Sequence, residues 1–472
     1  MRSIKTLLIN PPFSEEYSVG SSKSIRHVLN IVQPLGLAYL AAILEKNNFY
    51  VNITDCTVGI SYENLFKELL KENPDVVGIT ATTPSFESAK FIAAKIKELL
   101  PSSVLIIGGA HVTAVPHQAM EEDYFDIGVI GEGEETFLEL VKHIQEKSLN
   151  GLDVIKGIVY QQDERLITTP KREFIKSLDS LSHPARHLLP PLSKYRPTPA
   201  SYKRLPLATV MTSRGCPFQC VFCDRAVFGN HYRQRTADDV LAEVDEVIGR
   251  YGAKEFRFFD DLFTLDKERT YKICDGLKKR RVVWTCLTTV TTVMKELLKE
   301  MRSSGCWQVL FGLESGDPRI LKSLKKGNTI EQNRQAINWT KEAGLSVRAD
   351  FIVGTPGETR ESMQRTLNFA IDMDLDYAHF NKFVPFPGTE LYNQLISDGY
   401  QFDFSKSCSI LDHSALLYVP EGMGEEEYRA FLDLSFKKFY LRPRYILKRL
   451  LSIRTKDELL GQLKGFLAIA RM

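Results

Sequence analysis

Cys216, Cys220 and Cys223 put three thiols within one short run, Cys-Pro-Phe-Gln-Cys-Val-Phe-Cys, directly after a predicted strand. Three cysteines this close can converge from a single loop. Four thiolates are the usual complement of a cubane iron–sulfur cluster, so a triad leaves one iron without a protein ligand, and an open iron is where chemistry happens. The competing readings are a structural zinc knuckle and a reactive dithiol. Zinc takes four nitrogen or sulfur ligands at paired spacings, and no second pair follows downstream. The spacing therefore favours a 4Fe-4S site on Cys216, Cys220 and Cys223.

Five further cysteines, Cys56, Cys274, Cys286, Cys306 and Cys408, are scattered singly and read as buried small hydrophobes rather than as disulfides or ligands of a second cluster. A formal charge of +2 over 472 residues argues against a polyelectrolyte partner, so nucleic acid is not expected. No uncharged apolar run is long enough to span a membrane, and Met1-Arg2-Ser3 leads straight into a strand without a secretory pattern. The expectation is a cytoplasmic α/β protein of two or three domains.

The elements that must position this chemistry show as short apolar runs alternating with helical patterns. Over residues 1–145, strands fit Thr6 to Asn10, Tyr50 to Asp55, Val76 to Thr80, Val104 to Gly108 and Ile127 to Ile130, giving a Rossmann-like parallel sheet. Such a sheet gathers its ligand loops beyond the carboxyl ends of the strands. Here those loops are Asn10 to Phe13, Thr80 to Pro84, Gly108 to Thr113 and Gly131 to Thr136. Residues 146–204 read as a connector, with a hairpin from Lys156 to Lys171 followed by Pro184, Pro190, Pro191, Pro197 and Pro199. Over residues 205–400 six βα units predict an open partial barrel with its chemistry at the carboxyl ends of its strands. Residues 401–472 form a small helical region in which Lys437, Lys438, Arg442, Arg444, Lys448 and Arg449 interleave with Phe439, Tyr440, Tyr445 and Leu450. That pattern reads as surface helix packed by one face, with membrane contact as the less favoured alternative.

In this order of modules the chain resembles the cobalamin-binding branch of the radical S-adenosylmethionine enzymes over almost its whole length. Gln33-Pro34-Leu35-Gly36-Leu37-Ala38-Tyr39-Leu40, Gly108-Gly109-Ala110-His111 and Gly131-Glu132-Gly133-Glu134-Glu135-Thr136 are similar to that family's cobalamin domain. Phe311-Gly312-Leu313-Glu314-Ser315-Gly316, Gly354-Thr355-Pro356-Gly357-Glu358-Thr359 and Pro385-Phe386-Pro387-Gly388-Thr389 are similar to its radical domain. The resemblance implies that S-adenosylmethionine chelates the open iron through its amino and carboxylate groups. It implies that Phe222 packs on the adenine, its other reading being core filling. Asp260 or Asp261 would accept from the methionyl ammonium, one rather than both, because neighbouring strand residues face opposite ways. Glu314 would contact ribose hydroxyls, unless it serves a structural ion pair. Gly354, Gly357 and Glu358 would bring backbone against the adenosyl group. Pro11, Pro12, Thr82, Gly108, Gly109, His111, Thr113, Gly131, Glu132 and Gly133 would hold cobalamin.

Two departures from the resemblance stand out. The first loop, Asn10-Pro11-Pro12-Phe13, has no histidine to ligate cobalt from below, and His27 is a distant substitute. The region Thr285 to Val290 lacks an arginine for the methionyl carboxylate, which leaves Arg348 as a candidate by position. The implied reaction is oxygen-sensitive: a reduced cluster cleaves S-adenosylmethionine to a 5'-deoxyadenosyl radical, the radical takes hydrogen from an unreactive carbon, and methylcobalamin delivers a methyl group. A non-methylating cyclisation, oxidation or ring contraction is the runner-up, and a non-catalytic cobalamin sensor the rival of another class. The expected partners are a small-molecule or peptide substrate and an external electron donor such as flavodoxin or ferredoxin.

Overall fold

A computed structural model of the chain describes residues 4–13, 30–405 and 408–470; His27 lies outside the described residues. The first sheet has seven strands in the order β2-β1-β3-β4-β5-β6-β7. Five of them, β1 (Lys5–Asn10), β2 (Tyr50–Asp55), β3 (Val76–Thr80), β4 (Val104–Gly108) and β5 (Ile127–Val129), run parallel. Leu7, Leu8 and Ile9, Val76 and Val77, and Leu105 to Ile107 are buried on both faces, as parallel strands sandwiched between helices must be. The helices Leu35–Lys46 and Glu134–Lys147 cover one face, and Phe86–Leu99 covers the other. Between β1 and β3 the strand order reverses, which opens a crevice at their carboxyl ends.

The hairpin expected within the connector instead extends this sheet. Its strands β6 (Ile158–Gln162) and β7 (Arg165–Thr168) pair antiparallel onto β5. The reason is physical: β5 is three residues long and would leave a bare edge, and the buried Ile158, Val159 and Tyr160 supply the apolar side chains that cover it.

The second sheet carries six parallel strands in the order β15-β14-β13-β12-β11-β8 and does not close. They are β8 (Leu207–Val210), β11 (Glu255–Phe258), β12 (Val283–Thr288), β13 (Cys306–Glu314), β14 (Ser346–Val353) and β15 (Tyr377–Lys382). Side chains alternate: Val309, Phe311 and Leu313 join the core beneath the outer helices, while Gln308, Leu310 and Gly312 face inward. Between β8 and β11 a short antiparallel pair, β9 (Ser213–Arg214) and β10 (Arg233–Gln234), closes the base of the cysteine-bearing loop.

The carboxyl-terminal helix Glu425–Tyr440 packs on the β15 edge and buries Tyr428, Phe431, Leu432, Phe436 and Phe439. Its tyrosines also bond the barrel backbone. Tyr428 donates to the Val353 carbonyl (2.6 Å) and accepts from the Phe383 amide (3.3 Å), and Tyr440 both donates to and accepts from Ala378 (2.8 and 3.1 Å). Among the described residues no helix is long and apolar enough to cross a membrane. Tyr428→Phe removes one hydrogen bond from the Val353 carbonyl and one from the Phe383 amide, which keep each other at 2.9 Å, and should lower stability by ~0.5–1.5 kcal/mol. Denaturant unfolding should show a lower midpoint at unchanged slope, and an unshifted midpoint would rule out the role.

Candidate functional site

The cysteine loop is held open by its own backbone. Gly215 has φ +84, and a Cβ there would lie 2.4 Å from the His231 carbonyl, so only glycine lets the two ends of the loop approach. The Gly229 amide donates to Arg225 (2.8 Å), the Cys223 amide to Cys220 (3.2 Å), and the Val221 amide to Leu324 (3.2 Å). Burial raises the pKa of the Cys216 and Cys220 thiols. Water reaches Cys223, yet the protein crowded around it, then Asp261 and the other two thiols, push it up to about 12. The protein alone thus keeps the triad protonated, and a bound cation is what would make it thiolate. Among the described residues no three His, Cys, Asp or Glu converge tightly enough to share one ion.

A cavity of about 150 Å³ opens at the carboxyl edge of the first sheet. Gly78, Gly108, Gly109, Gly131 and Gly133 stand in its wall with Leu37, Tyr39 and Leu40, and Met211, Arg214 and Phe228 close it from the barrel side. The glycine wall permits the close backbone approach that one end of a large cofactor needs, so the site fits cobalamin. Gly108 has room, its nearest Cβ neighbour being Val129 at 3.5 Å; Gly109 has none, since at φ +105 a Cβ would sit 2.6 Å from the Ala81 carbonyl.

Several residues assigned to cobalamin do other work. Glu132 is buried and accepts from Arg214 (2.7 Å), Arg233 (2.7 Å) and the Ile175 amide (2.9 Å). Arg214 reaches Glu134 as well (2.5 Å) and lies between the rings of Tyr39 and Phe228, at 5.3 and 5.2 Å. Burial opposes the Arg214 charge, but Glu134 and Glu132 outweigh it and raise its pKa. Glu132 therefore locks the two domains together. His111 is turned away from the cavity: its Nδ1 meets the Thr83 hydroxyl at 3.1 Å, its ring packs on Phe86, and burial pushes its pKa down to about 4. The Thr113 hydroxyl donates to the Gly109 carbonyl (2.9 Å) and accepts from the Gly131 amide (3.0 Å), tying two loops together. Thr82 meets the Ser85 hydroxyl at 3.1 Å at the start of a helix. Pro11 and Pro12 are buried beside the crevice without lining the cavity, and among the described residues no histidine stands in its wall.

At the carboxyl ends of the barrel strands the candidates divide. Asp261 has no hydrogen bond or ion pair among the described residues and lies in the field of Cys216 and Cys223. Water reaches Asp261, yet the protein crowded around it, then Asp260, raises its pKa, and a free carboxylate in that position fits an ammonium group. Asp260 is already engaged: it accepts from the Thr212 amide (2.6 Å) and hydroxyl, and Arg269 closes the same network. Glu314, with φ +64, ends β13 and pairs with Lys326 at 2.7 Å. Gly312 makes room for that pair, since a Cβ there would lie 2.4 Å from the Glu314 carboxylate. Lys326 in turn sits 5.7 Å from the centre of the half-buried Phe222 ring, linking strand end to cysteine loop.

The Gly354 loop and Arg348 depart from their expected roles. The space a Cβ would take at Gly354 is filled by the Tyr428 hydroxyl, 2.1 Å away. Glu358 spends its carboxylate on that loop, accepting from the Gly354 (2.6 Å) and Thr355 (3.0 Å) amides, and burial pushes its pKa up to about 7. Gly357, at φ +82, faces open space. Arg348 is the third residue of β14, toward the end of the strand opposite the cysteine loop, and bonds Ser201 (2.6 Å) and His379 (3.1 Å). It is a floor residue rather than a partner of the methionyl carboxylate. Arg214 and Lys326 are the residues that sequence reasoning missed; the signal available was an arginine immediately before Gly215-Cys216 and two acids at alternate positions in the Gly131 loop.

Comparison with known proteins agrees with this arrangement. Residues 210–370 match the radical SAM superfamily model, and residues 23–141 match the B12 binding domain model. The chain is 34% identical over 455 residues to an uncharacterized methyltransferase of Pyrococcus horikoshii, covering 95% of each. It is 29% identical to an anaerobic magnesium-protoporphyrin IX monomethyl ester cyclase of Cereibacter sphaeroides, over 87% of this chain and 67% of that one. Its fold matches that of a radical S-adenosylmethionine methyltransferase from Kitasatospora setae, determined with cobalamin and a 4Fe-4S cluster, with a TM-score of 0.69 at 19% identity over 91% of this chain and 82% of that one.

Anaerobic reconstitution should load about four irons and four sulfides per chain, and alanine at Cys216, Cys220 or Cys223 should leave a folded chain that retains none; iron at undiminished stoichiometry in these variants would contradict the assignment. Arg214→Met strands the buried Glu134 carboxylate, while Glu132 keeps Arg233 and the Ile175 amide, and should cost about 3 kcal/mol. Adding Glu134→Gln should restore part of that loss in thermal unfolding, and a single variant as stable as the parent would show the clamp to be dispensable.

Proposed function

The chain belongs to the cobalamin-binding enzymes of the radical S-adenosylmethionine superfamily, and on that premise we propose that it methylates an unactivated carbon of a small-molecule or peptide substrate. The observation that carries this reading is the shared wall of the cavity: Arg214, Met211 and Phe228, from the segment flanking the cysteines, close the space lined by Gly108 and Gly131. Two cofactor sites built against each other suit a reaction that uses both.

When bound, the cluster supplies electrons for reductive cleavage of S-adenosylmethionine, and cobalamin supplies a carrier for a methyl group. The chain's own residues bind and orient. In this reading Cys216, Cys220 and Cys223 hold the iron, Asp261 accepts from the methionyl ammonium, and the Glu314–Lys326 pair with Phe222 frames the adenosyl group. The glycine wall of the first sheet receives cobalamin. An external reductant such as flavodoxin or ferredoxin completes the scheme.

The relative named as a cyclase keeps a second outcome in view. Incubation of the reconstituted enzyme with methyl-labelled S-adenosylmethionine and candidate substrates should place label in the product. An altered but unlabelled product would assign a non-methylating radical reaction, and failure to cleave S-adenosylmethionine at all would favour a cobalamin sensor.

A further inference from the structure

The interior of the six-stranded sheet is only partly packed: Gln308, Leu310 and Arg348 are buried, but other inward positions are not. Arg257 on β11, Leu287 on β12, Gly312 on β13, and Asp350 and Ile352 on β14 all keep partial exposure, and Phe259, just past β11 and on the same side as Arg257, is 43% exposed. Complete barrels fill these positions with layers of interlocking side chains. Here six strands enclose a chamber that water enters.

The charges in that chamber do not balance. Arg348 bonds Ser201 at 2.6 Å and His379 at 3.1 Å, and Asp350 lies 3.6 Å from its Nε and 3.4 Å from His379. Burial, then Arg348, push His379 down to about 4, so the imidazole is neutral near pH 7. Glu314 is matched by Lys326. Arg257 is left over: among the described residues it has no hydrogen bond and no ion pair, only the Phe259 ring 5.4 Å away. Burial, then the repulsion of Arg348, push its pKa down to about 9, with Asp350 as the one carboxylate acting against them. A guanidinium whose Nη1 is buried without a hydrogen-bond partner is costly, and five fixed donors make it a ready match for a carboxylate or phosphate.

We infer that the barrel chamber recognises an anionic group of the substrate, a carboxylate or a phosphate, through Arg257, with Arg348 and Asp350 framing the site. The inference rests on the barrel being the substrate chamber of the proposed enzyme. It also fixes orientation. Arg257 lies four residues before Asp261, ~13 Å of extended chain, so a substrate anchored by its anion extends from the chamber floor toward the Asp261 and Glu314 end, where its reacting carbon belongs.

The test uses the anaerobically reconstituted full chain, with inorganic phosphate and propionate as probes at ionic strength matched by sodium chloride. The melting temperature should rise saturably with one of the two, phosphate marking a phosphorylated substrate and propionate a carboxylic one. In Arg257→Met the half-saturating concentration should be at least about tenfold higher, with Arg257→Lys between. Without added anion, Arg257→Met should melt at or above the parent, because it removes an unpaired buried cation. Equal responses in parent and Arg257→Met, or none in either, would overturn the inference. So would loss of S-adenosylmethionine binding in Arg257→Met, which would assign the guanidinium to the cofactor. If the parent cleaves no S-adenosylmethionine while the anion response persists, the proposed function fails and the anion site stands.

Discussion

The arrangement depends on one buried guanidinium. Arg214 sits between Glu132 and Glu134 at 2.7 and 2.5 Å, and the next two residues are Gly215 and Cys216. Whatever holds Arg214 therefore holds the cysteine loop against the glycine-lined cavity of the other domain. Burying such a triad gains little stability compared with apolar packing; what it gives is a defined geometry, because the pairs form only in one relative placement of the sheets. A second buried network, Arg186 with Glu243 (2.6 Å) and Arg235 with the same carboxylate, ties the connector to the barrel. Two domains that must present two cofactors to one substrate are joined by directional contacts rather than by a slippery apolar face.

What was legible in the sequence is what is local. The cysteine triad is written in consecutive residues, and the strands show as apolar runs because parallel strands are buried on both faces. The glycine loops announced themselves by composition, and Gly108 and Gly131 do line the cavity. Partnerships across the fold were not legible. Glu132 in a glycine-rich loop reads as a ligand contact, while its partner Arg214 is 82 residues away. Glu358 reads the same way, yet it bonds amides three and four residues before it. Arg348 faces inward as alternation requires, but its place near the start of β14 sets it at the far end of the barrel. The hairpin was visible, and its membership of the first sheet was not, because pairing to a three-residue edge leaves no local mark.

The charged groups along the barrel form a graded series. Thiols and Asp261 stand at the rim, Lys326 and Glu314 pair just inside, and Asp350, Arg348 and Arg257 lie below. Pairing is complete in the middle of this series and incomplete at both ends. Among the described residues Asp261 has no cationic partner and Arg257 no anionic one within bonding distance.

An open sheet has a price: its last strand offers bare amides and carbonyls to any passing chain. On β15 the Tyr440 hydroxyl takes both the amide and the carbonyl of Ala378, and the Lys382 amide bonds Ile410. The carboxyl-terminal helix is thus a side-chain substitute for a seventh barrel strand, satisfying the edge without closing the ring. A chain shortened before this helix would expose that strand edge, the kind of surface through which sheets join edge to edge into fibres.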